Sequence, residues 1–514
     1  MANAAINNAD DLRTAEDDAA IDGLSSAVQS LLPALERFTR FDQPERTASE
    51  RAVWSAQLDE PLPKQGAGAD AVLKTLSDVV IPHGLRIGSP GFSGWIATMP
   101  TMIPAAAHLA SAIAGPLIVG VQSFNLLEAL ALRWLAELLN LPASYQGLFT
   151  SGGAVANLIC LGAARQHAAE QRGSDPALHG IASLPNPRIY TTSQVHHSIY
   201  RAGGVLGLGR QAVVTIPTDE ALRMDVAALR RQIAQDRAAG CTPIAVVANA
   251  GTTNTGAIDP LPEIIALCRE QDIWLHADGA YGLFGVLDPA IAHLYGDLSM
   301  IDSMVIDPHK WLATSMGCGG LFVRDAQLLA RAFRLEEAGY VEGSLPIYTA
   351  DTPLTSQLDD FGYMFQGFGI EHTLPSRGVE VWAVLKEIGA DGIKARVCRH
   401  NAYARYLAER IQETPELELV APVTLSTCCF RYVPEALRSR TDQATIQQLN
   451  TLNRSVLGRM RARGRSLPSA TVLGSAFVIR SCFINPRTTL ADIEAVVEEA
   501  VACGAEAWAA MNNN

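Results

Sequence analysis

Ile273-Trp274-Leu275-His276-Ala277-Asp278 and Ser303-Met304-Val305-Ile306-Asp307-Pro308-His309-Lys310 are the stretches that decide how this chain is read. Each begins as a short, mostly apolar run of the length of a buried strand and then stops in polar chemistry. Open α/β sheets gather their ligand-binding groups at the C-terminal ends of strands. A carboxylate, Asp278, and an amine, Lys310, delivered at two such ends are therefore read as partners in one site. Singly, a lysine is ordinarily a solvated surface charge and an aspartate after an apolar run a strand end or cap. The pairing carries the reading.

Working outward, Pro243 to Ala250 is a third strand-like run, and it enters Gly251-Thr252-Thr253-Asn254-Thr255-Gly256, a turn rich in hydroxyls. Upstream, Phe149-Thr150-Ser151-Gly152-Gly153-Ala154 opens into an alanine-rich helical run from Val155 to Ala164. A small-residue turn at a helix N-terminus leaves backbone N–H groups free at the positive end of the helix dipole, which suits a phosphate. Between them, the strand-like Arg188-Ile189-Tyr190 precedes Gln194-Val195-His196-His197, and either imidazole has the flat shape to lie on an aromatic ring.

Together these pieces resemble the group II pyridoxal-dependent decarboxylases, a family that includes aromatic amino acid, glutamate, cysteine sulfinate and diaminobutyrate decarboxylases. The likeness runs from the region of Pro90 to about Arg487, and Asp307-Pro308-His309-Lys310-Trp311 is its most specific segment. The resemblance implies pyridoxal 5'-phosphate as cofactor, held as a Schiff base by Lys310. It implies Asp278 as the partner of the pyridine nitrogen, His196 as the stacking histidine, and His309 beside the cofactor. Ala280 would pack on the ring face and Thr253 would offer a hydroxyl. Ser151, Gly152, Gly153 and Ala154 would hold the phosphate, with Ala154 standing where many relatives carry Ser or Thr. The family also uses a loop tyrosine that reaches the partner subunit's site and protonates the substrate carbon; Tyr340 fits that position and Tyr348 is the alternative. Such a chain would decarboxylate an L-amino acid to its amine, with an aromatic substrate favoured. An oxygen-dependent aldehyde synthase, or an acidic or diamino acid substrate, is the alternative.

The same resemblance implies an α/β architecture, fold type I (aspartate aminotransferase-like), with a mostly parallel central sheet flanked by helices. It would have a helical N-terminal segment (1–86), a large cofactor-binding domain (87–378) and a small α+β C-terminal domain (379–514), and it would assemble as a homodimer with sites at the interface. The alternation of strands with helical runs such as Leu126 to Leu139, Asp225 to Ala239 and Pro262 to Glu270 agrees with a parallel sheet. In the tail, helical runs at Val379 to Glu413 and Asp442 to Arg463 flank strand-like runs at Val423 to Tyr432 and Ser475 to Phe483.

Composition narrows the class. With 48% hydrophobic and 18% charged residues, the 514-residue chain reads as globular. A net charge of −13 speaks against nucleic acid or an anionic membrane as partner. The nine cysteines show no metal-ligand or Cys-x-x-Cys spacing, and with no basic, apolar leader at the N-terminus the expectation is a cytoplasmic enzyme without a metal. From Ile87 to Leu127 there is no charged residue, yet Pro90, Pro100, Pro104 and Pro116 interrupt the run. It is read as a buried substrate-pocket and subunit-interface segment, not a membrane span, with Trp95, Met99 and Ile103 as pocket candidates. Arg377 and Arg86 are the cations that an acidic substrate would draw on.

Overall fold

The computed structural model describes residues 23–41, 51–115, 123–333 and 365–513. Twelve strands are found there: β1 (Phe92–Ser93), β2 (Gln146–Thr150), β3 (Pro187–Thr192), β4 (Val213–Ile216), β5 (Thr242–Asn249), β6 (Trp274–Asp278), β7 (Ser303–Ile306), β8 (Gly319–Val323), β9 (Leu417–Leu419), β10 (Thr427–Tyr432), β11 (Leu467–Leu473) and β12 (Ala476–Cys482). Seven of them form the large sheet in the order β2-β8-β7-β6-β5-β3-β4. β8 runs antiparallel to both neighbours, and the other pairings are parallel. β2 therefore points the same way as β3 to β7, and the C-terminal ends of all six lie along one edge. This is the α/β, mostly parallel architecture of fold type I.

The central strands are apolar without alternation because helices cover both faces of the sheet. β5 buries Ala245, Val246, Val247 and Ala248, and β7 buries Met304, Val305 and Ile306. The helix Gly153–Glu170 is buried on several sides, from Ala156 and Ile159 to Cys160, Leu161, Ala163 and Ala164, as expected of a helix without a polar face. The helices Val226–Ala238 and Gln443–Arg463 start on Asp225 and Asp442, whose carboxylates accept from Ala228 N and Thr445 N, and Leu490–Asn512 starts on a Thr489/Asp492 capping box.

The smaller sheet, β1-β11-β12-β10-β9, gathers the C-terminal strands around a second core containing Phe430, Val456, Met460 and Ile493. Its outer strand β1 comes from far upstream: Phe92 and Ser93 pair in parallel with Leu467 and Pro468. The run from Gly378 to Glu413 bridges the two cores and breaks at Gly389, whose φ of 67° lies outside the helical region. Ends of helices and strands deduced from sequence differ from these by a few residues. Strands β1, β2, β4, β8, β9 and β11 are additions to the sequence reading, since such runs carry little local signal of their own. No helix among the described residues is long and apolar enough to cross a membrane.

Candidate active site

β6 and β7 are neighbours, with Asp278 opposite Val305, so Asp278 and the Asp307 to Lys310 segment emerge side by side. Asp307 N–H donates to Ala280 O at 3.1 Å, tying the two strand ends together. The turn Pro308–Trp311 has proline at its first helical position and is anchored by Trp311, which is fully buried. Trp311 stacks on Tyr281 at 5.3 Å and donates Nε1–H to His400 Nδ1 at 2.9 Å. That fixed root aims Lys310, whose Nζ lies 3.0 Å from Asp307 Oδ2. His309 donates Nδ1–H to Cys318 O at 2.7 Å and keeps Nε2 3.8 Å from Asp307 Oδ2.

Asp278, 7% exposed, has both oxygens engaged by neutral donors: Ala280 N to Oδ1 at 3.2 Å and Asn157 Nδ2 to Oδ2 at 3.1 Å. Asn157 is the centre of a directed chain of hydrogen bonds. Trp274 Nε1–H donates to Ser303 Oγ (2.9 Å), whose hydroxyl can serve His276 Nδ1 (2.9 Å), and His276 Nε2 reaches Asn157 Oδ1 (2.8 Å). Asn157 Nδ2 also donates to Ser198 Oγ (3.0 Å), and Ser198 Oγ lies 2.8 Å from His196 Nδ1. Because the carboxylate can only accept, the amide nitrogen must face Asp278 and the amide oxygen His276. That makes His276 Nε2 the protonated nitrogen, and it lets Ser198 donate to His196 Nδ1. Burial lowers His276 to about 4, so the chain runs through a neutral imidazole.

His196 belongs to the same cluster, since Asp278, Lys310 and Asp307 all act on its ionisation, although loss of water is the largest influence and holds it below the usual histidine range. The residue is nevertheless exposed, which leaves a neutral ring face open for stacking. Across the edge, Asn254 Nδ2–H donates to Gln194 Oε1 at 3.0 Å, bringing the loop that carries the exposed Thr253 beside the His196 turn.

The Ser151 to Ala154 turn completes the edge. Gly152 takes φ +135°, and a Cβ at Gly153 would come within 2.8 Å of Asp307 Oδ2 and 3.2 Å of Ala280 Cβ, so the turn needs glycine at both places. The helix it opens has no side-chain cap and no acidic residue in its first turn. Its preference for an anion is visible in the protein itself. Glu371 Oε2 accepts from Ser151 N–H at 3.3 Å, while its Oε1 pairs with Arg377 Nη2 at 3.2 Å.

A phosphate-bearing pyridine aldehyde fits this donor set: an uncapped helix start, a buried carboxylate with its geometry fixed, an open neutral imidazole and an amine within one cluster. Tyr340 and Tyr348 lie outside the described residues. Of the two cations considered for an acidic substrate, Arg377 is paired with Glu371, and Arg86 donates to Phe38 O and lies over the Phe38 and Phe41 rings. The charge-free 87–127 segment, expected at a substrate pocket and a subunit interface, carries apolar side chains that are exposed in the single chain. Trp95 (55% exposed) and, on the helix Met102–Ala114, Met102, Ile103, Leu109 and Ile113 are not covered by the other described residues. Met99 lies against Gly88, where a Cβ would come within 2.0 Å of its sulfur.

Asn157, Ser198 and Glu371 were not singled out from sequence, and His276 was read only as part of a strand. The one local signal was the amide of Asn157 inside an otherwise apolar helical run.

Comparison with known proteins agrees with this geometry. The pyridoxal-dependent decarboxylase conserved domain matches residues 54–433, and the chain belongs to that family. It is 31% identical to an aromatic-L-amino-acid decarboxylase of Bacillus atrophaeus, over 84% of this chain and 85% of that protein. It is 30% identical to an L-2,4-diaminobutyrate decarboxylase of Rhizobium meliloti, over 84% and 81%. Its fold superposes on the crystal structure of mouse CSAD with a TM-score of 0.83 at 25% identity, covering 94% of this chain and 98% of that one. The protein is a pyridoxal 5'-phosphate-dependent amino acid decarboxylase.

Proposed function

We propose that the protein decarboxylates an aromatic L-amino acid to the corresponding amine. Lys310 is assigned as the amine that bonds the cofactor aldehyde, Asp278 as the partner of the ring nitrogen and His196 as the ring's stacking partner. Ala280 packs on the ring's face, Ser151, Gly152, Gly153 and Ala154 receive the phosphate, and Thr253 and His309 lie beside the cofactor. When bound, the cofactor supplies an electron sink for the bond that releases carbon dioxide. The chain's own work is positional and electrostatic. Asp278, oriented by Asn157 and Ala280, keeps a negative charge at the ring nitrogen. His196 presents a neutral face, and Trp311 fixes the root of Lys310. Tyr340, with Tyr348 as alternative, is the proposed donor of the proton to the substrate carbon.

The observation that carries the aromatic reading is Trp95. Its backbone is held at φ 51°, its N–H is bonded to Ser469 Oγ at 3.1 Å, and its ring meets Phe92 edge-on at 5.9 Å. A fixed, exposed indole suits an aromatic side chain, and neither Arg86 nor Arg377 is idle. One observation favours an acidic substrate instead: the buried Arg480 bonds Asn254 O and Ser469 Oγ but has no partner for Nη2 among the described residues.

The exposed apolar side of the Met102–Ala114 helix supports a homodimer, and the nine free cysteines support a cytoplasmic setting. The proposed division remains 1–86, 87–378 and 379–514, with β1 reaching across to the C-terminal sheet. The test is to incubate cofactor-loaded protein with a panel of L-amino acids in air, identifying products by mass spectrometry and measuring peroxide. Amines from tryptophan, tyrosine or phenylalanine without peroxide are expected. Turnover confined to acidic or diamino acids overturns the aromatic assignment, and aldehyde with equimolar peroxide overturns amine formation.

A further inference from the structure

Asp307 is a buried acidic residue at this edge for which the assignments above have no use. It is 3% exposed and sits between two glycines: Oδ2 would be 2.8 Å from a Cβ at Gly153, and Oδ1 2.9 Å from a Cβ at Gly319. Oδ2 holds Lys310 Nζ at 3.0 Å, and Oδ1 has no hydrogen-bond partner among the described residues. The His309 ring is beside it, with Nε2 3.8 Å from Oδ2.

We propose that Asp307 is a positioning residue for Lys310. Its carboxylate is the seat to which the lysine returns whenever its amine is not bonded to the cofactor, and it sets how fast that amine captures the cofactor. The inference rests on the assignment of Lys310 as the cofactor lysine. In the capture step the lone pair of the neutral amine forms the carbon–nitrogen bond, the aldehyde oxygen leaves as water, and the proton lost by the ammonium goes to solvent. Before that, Nζ must leave Oδ2. Leaving strips a buried carboxylate of its closest cation while its other oxygen is already unbonded, and separating a buried ion pair in a low dielectric is costly. The arrangement slows capture and in exchange gives a flexible four-carbon side chain one defined resting place beside the phosphate turn.

Asp307→Asn keeps the shape and removes the charge. Mixed with pyridoxal phosphate, the cofactor-free variant should develop the visible band of the lysine adduct roughly tenfold faster than the parent protein. A neutral side chain would also ease docking of a phosphate, so a second measurement avoids the cofactor: acylation of the cofactor-free protein by an amine-directed ester, read by peptide mass spectrometry. Lys310 should be acylated several-fold faster in the variant, with the already exposed Lys64 and Lys386 unchanged as controls for the reagent, and a native melting transition excludes general loosening of the fold. Equal Lys310 acylation in the two proteins overturns the proposal. Asp307→Ser replaces the variant if Asp307→Asn does not give a native melting transition. Borohydride reduction of the loaded parent protein tests the underlying assignment separately. A pyridoxyl group on Lys310 upholds it, and one on another lysine removes the proposal's premise regardless of the acylation result.

Discussion

Asp278 and Asp307 close adjacent parallel strands, point into the same cluster and are both more than nine-tenths buried, yet their surroundings differ. Asp278 is held by two neutral donors, the Asn157 amide and the Ala280 N–H, so its charge is oriented but, among the described residues, not paired with a cation. Asp307 has one oxygen on the Lys310 amine and the other without a hydrogen-bond partner among the described residues. Burying a carboxylate is tolerable when its lone pairs are satisfied or its charge is paired. Neutral satisfaction leaves Asp278 free to answer a cation that arrives with a ligand, whereas pairing commits Asp307 to the protein's own lysine. The same residue type at the ends of two neighbouring strands, two positions apart in register, therefore serves two purposes, and the partners decide which.

The largest effect should come from removing the amine on which the comparison turns. Lys310→Ala is expected to lower turnover by at least roughly 10^3-fold and to abolish the visible absorbance of the lysine-bound cofactor. A visible band in the variant that borohydride bleaches, leaving a pyridoxyl group on another lysine, would place the adduct elsewhere. Asp278→Asn should retain the fold and lose about 10^2 to 10^3-fold in kcat, because an amide has no charge to offer the ring nitrogen. Near-normal turnover would refute the assigned contrast between the two aspartates.

A third buried carboxylate sharpens the comparison through pH. Burial raises Glu128 to about 7, although Gly378 N–H, Arg377 and the Ser376 hydroxyl all favour its charge. Between the ordinary carboxylate range and about pH 7 the folded chain keeps a proton that the unfolded chain has lost. Its contribution to stability is thus fully present below the ordinary value and is lost as pH rises through about 7, a change on the order of 3 kcal/mol. Glu128→Gln should flatten that decline in denaturant melts of the cofactor-free protein at pH 5 and pH 8, and parallel slopes in both proteins would contradict it. Smaller again is Asn157→Leu. It releases Asp278 and His196 together and should cost roughly 10- to 100-fold in kcat or cofactor affinity, with a shifted spectrum of the bound cofactor. An unchanged spectrum would mean that Asp278 is held well enough by Ala280 N–H alone.

Much of the fold was legible because its signals are local. β5, β6 and β7 are mostly apolar runs, and the tail helix Gln443–Arg463 begins on Asp442, a side chain that caps within three residues, whereas the helix Leu490–Asn512 was not read from sequence. β8 was not legible, because nothing within Gly319–Val323 records that it runs against its neighbours. Nor was β1, whose pairing with β11 joins residues near 92 to residues near 467. The 87–127 segment was legible only in part for a related reason. A charge-free run says that apolar surface must be covered, but not whether the same subunit covers it.

The sequence by itself determined the class of chemistry: a carboxylate and an amine at the ends of two strand-length apolar runs, a glycine turn opening a helix, and histidines after a third strand. Residue type and strand length fix these points within a few positions of each other. Only the tertiary structure decided which polar groups answer each other. Asn157 reaches Asp278 across 121 positions and His276 across 119, and Glu371 reaches Ser151 across 220. Hydrogen bonds act over about 3 Å of space whatever the separation along the chain, so partners brought together by sheet order and helix packing leave no spacing to read.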